Sequence, residues 1–249
     1  MAVWAIADLH LSFGVVNKEM DIFGSEWVAH AKKIETYWKN EISEDDLVLI
    51  PGDISWGKNL DEALPDLKWI DALPGTKVII RGNHDYWWTS LKKLNAIIPS
   101  SIHVIHNNTF DWKDLTIGGT RLWDSEEYSF NDLIEWKKNT SVNLSATPND
   151  LEASRKVFQR ELNRLELSLK NLNQQKSIRI AMTHYPPIGA DLQNSKASSI
   201  LEKHNINICV FGHLHSLKKQ GSLFGHHNNI SYVLSSCDYL NFSPIKILD

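Results

Sequence analysis

"LVLIPGDISWGKN", residues 47–59, joins a short apolar run to a loop that carries one carboxylate, Asp53. Four apolar residues that stop at a proline and a glycine are typical of a buried strand in a parallel sheet. The two glycines and Lys58 also match the phosphate-binding pattern G-x-x-x-x-G-K, but Asn59 stands where that loop needs a hydroxyl group. Because a carboxylate inside such a loop would repel a phosphate, we favour Asp53 itself as the functional element and ask which residues accompany it.

The composition predicts a globular chain with a sizeable core. Its 249 residues are 42% hydrophobic and 22% charged, with ten tryptophans, and we favour a single domain over residues 1–249. A formal net charge of −4 argues against nucleic acid and acidic membrane surfaces as partners. The sequence shows neither a leader peptide nor an apolar stretch of membrane-spanning length, so we expect a cytoplasmic protein without a membrane partner. We expect Cys209 and Cys237 to be buried small side chains rather than a disulfide framework.

Short apolar runs bounded by turn residues predict strands, and helix-like stretches separate the early ones. The predicted strands cover residues 3–7, 47–50, 77–80, 102–105, 115–118, 178–182, 206–211, 231–235 and 245–248. The predicted helices cover residues 25–40, 58–72, 89–97, 148–173 and 196–204. This alternation indicates βαβ units and a largely parallel sheet. Ser25 is expected to cap the first helix, and the last strands are expected to form an antiparallel meander with residues 225–229 as a loop.

Residues 121–176 leave the strand pattern. They contain no convincing strand, and Thr147 followed by Pro148 is typical of a helix start. Both ends of the segment adjoin predicted strands, so we expect a helical insertion that could cap the functional site. Its candidate substrate contacts are Arg121, Trp123 and Trp136. The alternative is a helical segment packed on a distant face or at a dimer contact.

Polar side chains follow five of the predicted strands at the point where each strand ends. They form the blocks 8–10, 52–53, 82–85, 183–184 and 212–215. Residues i and i+2 of an extended segment project to the same side, so Asp8 with His10, and His213 with His215, can each present two ligands to one point. Since ligands of open α/β sheets bind beyond the carboxyl ends of the strands, we expect the five blocks to converge.

The residue types in these blocks favour a transition metal. Carboxylate oxygens, an amide oxygen and imidazole nitrogens suit Mn²⁺, Fe or Zn²⁺ better than Ca²⁺ or Mg²⁺, which prefer oxygen alone. The seven candidate ligands are Asp8, His10, Asp53, Asn83, His184, His213 and His215. Seven are too many for one tetrahedral ion, whereas two ions that share a carboxylate would use them all, and such a pair stabilises displacement at phosphorus.

In their order, the five blocks resemble the pattern of the calcineurin-like metallophosphoesterase family, which is D-x-H, G-D, G-N-H-[DE], a lone His and G-H-x-H. The resemblance extends from residue 8 to residue 215. The words "GDISW", "GNHDYWW", "GTRLW" and "HYPP" are similar to a bacterial subgroup of that family without an assigned substrate. The resemblance implies an α/β fold, a four-layer αββα sandwich of two mixed β-sheets flanked by helices.

The resemblance also implies two divalent ions and a hydrolytic mechanism. The first ion would be held by Asp8, His10, Asp53 and His215. The second would be held by Asp53, as a bridging carboxylate, together with Asn83, His184 and His213. A hydroxide that bridges the ions would attack phosphorus. His84 would protonate the leaving oxygen or stabilise the transition state, and Asp85 would hold the orientation of its ring.

Further residues near the strand ends are candidates for substrate binding. Arg121 follows a glycine pair and could bind phosphate or another anion, with a surface salt bridge as the alternative. Trp56 and Trp88 could stack on a substrate, with packing of helix on sheet as the alternative. The protein Ser/Thr phosphatases of the family carry an arginine after a second aspartate that residues 54–57 lack, which argues against that activity here.

We therefore expect an enzyme that hydrolyses a small phosphorylated substrate, with phosphomonoester, phosphodiester and pyrophosphate bonds all open. A nuclease of the same family would use the same chemistry, although the acidic balance argues against it because Lys and Arg contacts to phosphate dominate nucleic-acid affinity. A metal-free interaction scaffold with this fold would lack several ligands, whereas every ligand position is filled here.

Overall fold

The computed structural model describes residues 1–135, 148–218 and 223–249. The strands in this part of the chain are β1 (Val3–Ala5), β2 (Leu47–Ile50), β3 (Thr76–Ile79), β4 (Ile102–Val104), β5 (Phe110–Trp112), β6 (Leu115–Thr120), β7 (Ile178–Thr183), β8 (Ile208–Phe211), β9 (Gly225–His227), β10 (Ile230–Leu234) and β11 (Ile245–Leu248). The α-helices are α1 (His30–Glu41), α2 (Leu60–Asp71), α3 (Leu91–Asn95), α4 (Pro148–Lys170) and α5 (Lys196–Lys203). Trp136 and Thr147, which the sequence singled out, lie outside the described residues.

The strands form two mixed sheets in the described part of the chain. The first sheet has the order β11-β1-β2-β3-β4, with β1 to β4 parallel and β11 antiparallel to β1. The second has the order β5-β6-β7-β8-β10-β9, in which β6, β7, β8 and β10 are parallel and the edge strands β5 and β9 are antiparallel to their neighbours. The carboxyl ends of the parallel strands therefore lie at one edge of each sheet.

The alternation of side chains along the strands produces four layers. Val3 and Ala5 face inward and pack in a core between the two sheets, together with Ile180 and Val210 of the second sheet. Trp4 of the same strand faces outward into a separate core beneath α1, α2 and α3. The outer face of the second sheet packs in the same way against α4 and α5. This arrangement confirms the predicted four-layer αββα sandwich of two mixed β-sheets flanked by helices.

The C-terminal strands do not form the expected antiparallel meander. β10 pairs in parallel with β8, and β11 crosses to the first sheet, where it pairs with β1. Residues 225–227, expected in a loop, form the edge strand β9. A three-residue strand is too short to show a period of two, so composition alone made it resemble a turn.

The first predicted helix also begins later than expected. Residues 25–27 form a short 3₁₀ turn, and Ala29 adopts a left-handed conformation with φ 53° before α1 begins at His30. The ring of His30 donates a hydrogen bond to the carbonyl of Leu9 at 3.0 Å, and the ring of Trp27 packs against it. These tertiary contacts hold the start of the helix and override the capping signal of Ser25.

The described residues between β6 and β7 contain no strand beyond one isolated bridge, Ile134 with Leu217. Helix α4 places Leu162, Leu165 and Leu169 in the core under the second sheet, as ordinary packing predicts. No helix in the described part of the chain combines the length and the apolar character that a membrane crossing requires. Cys209 and Cys237 are buried and free.

Candidate metal centre

The five polar blocks lie at the carboxyl ends of strands from both sheets. The first sheet supplies the blocks after β1, β2 and β3, and the second supplies those after β7 and β8. The backbone joins the blocks directly, because the amide of Asp8 donates to the carbonyl of Gly52 at 3.0 Å and the amide of Gly212 donates to the carbonyl of His184 at 3.1 Å. The amide of His213 donates to the carboxylate of Asp8 at 2.9 Å and so ties the two sheets together.

One group of potential ligands comprises Asp8, His10 and His215. One donor atom from each lies within 4.8 Å of the others. The Nε2 atoms of His10 and His215 face each other at 3.3 Å, and Nε2 of His215 lies 3.7 Å from Asp8 Oδ1. Asp53 Oδ2 lies 3.8 Å from Nε2 of His10.

A second group surrounds His184. Its Nε2 atom lies 2.7 Å from Oδ1 of Asn83 and 3.5 Å from Oδ2 of Asp53. Nδ1 of His213 lies 3.1 Å from the same Asn83 oxygen. Oδ2 of Asp53 is therefore near a histidine of each group, and the two groups are adjacent rather than separate. Asp8 also belongs to a potential ligand group with Asp53 and His184.

Two histidines are oriented by hydrogen bonds through their Nδ1 atoms. Nδ1 of His184 donates to the carbonyl of Pro51 at 2.9 Å, and Nδ1 of His215 donates to Oδ1 of Asp238 at 2.9 Å. Each bond fixes the ring so that Nε2 is the nitrogen on which a metal ion could replace a proton. Sequence reasoning missed Asp238, although its position just past β10 follows the pattern of the other blocks.

The turns that carry the ligands have an unusual backbone. Asp8, His10, Asp53 and His213 all have positive φ, between 46° and 72°. Only a few per cent of non-glycine residues adopt this conformation, which costs free energy and clusters at functional sites. The chain turns back at each strand end, which aims successive side chains at one place.

Asp85 has a different contact from the one expected. Its carboxylate does not orient the His84 ring. It accepts hydrogen bonds from the backbone amides of Asp53, Ile54, Ser55 and Gly82 and from the indole of Trp87, at 2.7–3.2 Å. The buried carboxylate therefore fixes the two turns that carry Asp53 and Asn83.

His84 lies beside the cluster. Its backbone amide donates to Oδ1 of Asp53 at 2.8 Å, and its ring packs against Trp56 at a centroid distance of 4.7 Å. Trp56 also stacks on His10 at 5.0 Å, so it forms one wall of the cluster. Nδ1 of His84 is buried and meets no hydrogen-bond partner among the described residues. A buried polar atom of this kind indicates a missing partner.

The charges in the cluster are strongly coupled. Burial raises the pKa of Asp8 to about 6 and lowers that of His10 to about 3. Burial also disfavours a charged His184, but the Asp53 and Asp8 carboxylates outweigh it and raise the pKa of His184 to about 9. Burial opposes ionisation of Asp53 as well, yet the imidazoles of His184 and His10 lower its pKa well below the ordinary value. The cluster thus offers anionic oxygens that are balanced by cationic imidazoles, and a divalent cation would replace those protons.

The cluster combines oxygen and nitrogen donors that lie close together. Such a mixed set fits transition-metal ions. The donors fit such ions better than Ca²⁺, which prefers a shell of oxygens. The orphaned His84 nitrogen and the facing nitrogens of His10 and His215 agree with a site that is completed by bound groups.

Two cavities lie next to this cluster. One, of about 280 Å³, is lined by His213 together with aromatic side chains that include Trp123, Tyr128, Phe130 and Tyr185. The other, of about 250 Å³, is lined in part by Arg121 and Trp88. The guanidinium of Arg121 lies over the ring of Trp123 at 4.6 Å, between the two cavities. Trp88 is buried, and its indole donates to His106 at 3.3 Å, so it is a wall of the second cavity.

The fold and this cluster of ligands define a class of protein, and the comparison with protein families agrees with it. A family model for calcineurin-like phosphoesterases matches residues 1–217. The chain belongs to the calcineurin-like phosphoesterase family.

Individual relatives match only part of the chain. The chain is 35% identical over 83 residues to the Gene 66 protein of Mycobacterium phage D29, which covers 33% of this chain and 40% of that protein. It is 33% identical over 82 residues to the Gene 66 protein of Mycobacterium phage L5, which covers 33% of this chain and 39% of that protein. The match thus spans about two fifths of the length of these curated relatives.

The solved structure of a bacterial hydrolase shares the fold. A phosphopantetheinyl hydrolase from Mycobacterium tuberculosis aligns with a TM-score of 0.55 and 15% identity over 99% of this chain and 95% of that chain. A protein of unknown function from Aquifex aeolicus aligns with a TM-score of 0.49 and 15% identity over 98% of this chain and 95% of that chain. At these identities the likeness concerns the fold.

Proposed function

We propose that this protein hydrolyses a phosphomonoester, phosphodiester or pyrophosphate bond with two divalent transition-metal ions, Mn²⁺, Fe or Zn²⁺, bound at the cluster. The observation that carries the proposal is the position of Asp53. Its Oδ2 atom lies 3.8 Å from His10 and 3.5 Å from His184, which belong to the two different donor groups. A carboxylate in that position is suited to serve both ions.

The seven candidate ligands would be divided between the two ions. The first ion would be held by Asp8, His10, Asp53 and His215. The second would be held by Asp53, Asn83, His184 and His213. When bound, the ions would lower the pKa of a water molecule and neutralise charge on the phosphoryl oxygens. Asp238 and the carbonyl of Pro51 would keep His215 and His184 in the ligand tautomer, and Asp85 would hold the turns beneath them.

We assign His84 to the leaving group. Its Nδ1 atom is buried without a partner in the described part of the chain, and burial lowers the pKa of the ring, so a neutral imidazole faces the site. An oxygen of the substrate would supply the missing partner. In this neutral form the ring would donate a hydrogen bond to the leaving oxygen as charge develops there, and transfer of a proton would require its protonated form.

The substrate we propose is a small phosphorylated molecule. The cavity lined by His213 and the aromatic residues could take its organic part, since aromatic side chains supply large contact areas at low entropic cost. Trp56 flanks both His10 and His84 and would bound the substrate on the opposite side. Arg121 would contact an anionic group, and Trp88 would support the cavity wall.

Since α4 itself is an outer layer of the sandwich, the part of the predicted insertion, residues 121–176, that would act as a cap is the part before α4, described as residues 121–135. In its described part, Trp123, Tyr128 and Phe130 line the aromatic cavity that His213 also lines. Because α4 covers the outer face of the second sheet, the test changes only the cavity wall. Tyr128→Ala combined with Phe130→Ala should leave hydrolysis of a small generic diester intact while discrimination among larger substrates is lost. An unchanged substrate profile in a folded, metal-loaded variant would show that the segment has no part in specificity.

The test of the function is a substrate panel with Mn²⁺. Purified protein is assayed against monoesters, diesters, pyrophosphates and single-stranded nucleic acid, and the metal content is measured in parallel. We expect about two ions per chain and hydrolysis of at least one small substrate class. Selective cleavage of nucleic acid would favour the nuclease alternative, and a chain that binds no metal would favour the scaffold.

A further inference from the structure

The cavity that Arg121 lines, near the metal cluster, has an unusual concentration of positive charge. It is built where β3, β4 and β6 end and where α4 crosses them, and its volume is about 250 Å³. Arg81, Arg121 and Arg164 line it, which is half of the six arginines in the chain. The protein as a whole carries a formal charge of −4, so this local excess is not a reflection of its composition.

A single carboxylate opposes these arginines among the lining residues that the structure describes. Glu161 is buried and contacts Arg164 at 2.7 Å and Arg121 at 3.7 Å, and it accepts a hydrogen bond from Thr120 at 3.0 Å. Arg160 approaches the same carboxylate at 3.4 Å from outside the cavity. One negative charge cannot neutralise this set, so Glu161 orients the guanidinium groups and leaves a positive excess.

Arg81 adds an unsatisfied donor. Its Nε atom is buried and has no acceptor within residues 1–135, 148–218 and 223–249. Burial lowers the pKa of Arg121, Glu161 opposes this effect, and the nearby charge of Arg81 adds to it. Like charges held together around a space, one with an idle donor, indicate an anion as the missing partner.

The cavity shares a backbone wall with the metal cluster. The carbonyl of Arg121 accepts hydrogen bonds from the amides of His184 at 3.1 Å and Tyr185 at 2.9 Å. Arg81 directly precedes the turn that carries Asn83. The cavity therefore adjoins the turns that carry Asn83 and His184.

We propose that the cavity bounded by Arg81, Arg121 and Arg164 binds an oxyanion of the phosphate class, as a second anionic group of the substrate. This inference rests on the proposed function for the identity of the site it adjoins, and it narrows the substrate to molecules with a negative group in addition to the scissile phosphate. Guanidinium groups suit this task because they bind phosphate oxygens through two parallel hydrogen bonds.

The direct test is titration of inorganic phosphate into the metal-free protein by calorimetry at fixed ionic strength. Arg81→Gln and Arg164→Gln should each weaken binding by about tenfold, because each removes a charge-assisted hydrogen bond. Arg155→Gln is the matched control, since Arg155 lies on the same helix and pairs with Glu126 on an exposed surface. Absence of phosphate binding by the unmodified protein, or an equal loss in the control, overturns the proposal.

One measurement and one further variant guard against an effect on folding. Thermal unfolding of the glutamine variants shows whether the fold is retained. Arg164→Lys keeps the charge but loses the paired geometry, so it should weaken phosphate binding by less than Arg164→Gln does. Binding that is insensitive to every arginine substitution would place the phosphate elsewhere and overturn the proposal.

A second measurement shows whether the cavity binds a phosphate group of the substrate or a free phosphate ion. The p-nitrophenyl ester of thymidine 5′-phosphate is compared with the same ester carrying a 3′-phosphate, using the metal-loaded protein. A substrate subsite predicts a KM about tenfold lower for the 3′-phosphorylated ester, with the difference reduced in Arg164→Gln. Phosphate binding without this preference overturns the substrate assignment in favour of a free anion. Failure of the proposed function is a different result, because no monoester, diester or pyrophosphate of the substrate panel is then cleaved while the titration is unaffected.

Discussion

The two sheets bring different chemistry to the same place. The turns of the first sheet supply all of the candidate oxygen donors, Asp8, Asp53 and Asn83, and a single imidazole, His10. The turns of the second sheet supply imidazoles alone, His184, His213 and His215. Neither sheet carries a complete set, so the candidate centre depends on how the two sheets pack, and its mixed donors come from that division.

The largest effect is expected at Asp53, the carboxylate that lies between the two donor groups. Asp53→Ala should reduce the metal content from about two ions to one or fewer. It should also lower kcat/KM by about 10³-fold, since a metal contributes several kcal/mol of charge stabilisation. Elemental analysis and a diester assay measure the two effects. Asp45→Ala is an exposed control of the same type, and retention of both ions by Asp53→Ala would contradict the shared-carboxylate assignment.

The packing between the sheets can be weakened without touching a ligand. Ile180 is fully buried in the core between the sheets, and Ile180→Ala should lower the free energy of unfolding by about 2–5 kcal/mol, through lost burial and a residual cavity. Chemical denaturation measures the change. Leu167→Ala, at an exposed position of α4, should stay within about 0.5 kcal/mol of the parent. A similar small change at Ile180 would mean that the inter-sheet core does not support the fold as described.

His84 tests whether the first sheet also supplies the acid. His84→Ala should retain its metals but lose on the order of 10²-fold in kcat, with a smaller loss on substrates that have a good leaving group such as nitrophenol. Steady-state kinetics on a pair of esters gives the comparison, and exposed His226→Ala is the control. An unchanged kcat on the poor leaving group removes His84 from the mechanism.

Asp238 tests how firmly the second sheet holds its imidazoles. Because Asp238 fixes the tautomer of His215, Asp238→Asn should weaken metal binding by about 10–100-fold, which is smaller than the effect expected from loss of a ligand. Competition with a metal-sensitive dye measures the affinity. Asp249→Asn, at an exposed position, should have no effect, and equal affinity in both variants would exclude a positioning role for Asp238.

The strand-end blocks could be predicted because they depend on local signals, whereas the sandwich followed from the resemblance of those blocks to a known family and not from the strand pattern. An apolar run that ends in Gly-Asp or Gly-Asn-His can be recognised without knowing its neighbours. Partners across the fold cannot be recognised in this way. Asp238 meets His215 only after β10 has paired with β8, and the placement of β11 beside β1 joins residues at opposite ends of the chain. The start of α1 escaped prediction for the same reason, because Trp27 and His30 are fixed by packing.

The pairing of β11 with β1 also has a consequence for the order in which the chain acquires its structure. During synthesis, Val3–Ala5 emerges well before the strand that covers its outer edge, Ile245–Leu248, which follows the other described strands in the chain. Until then the nascent chain presents an open parallel edge, which is a template for pairing with other chains. Removal of the last five residues should therefore promote aggregation of newly made protein before it alters the metal cluster. We therefore expect β11 to protect the newly made chain from pairing with other copies of itself.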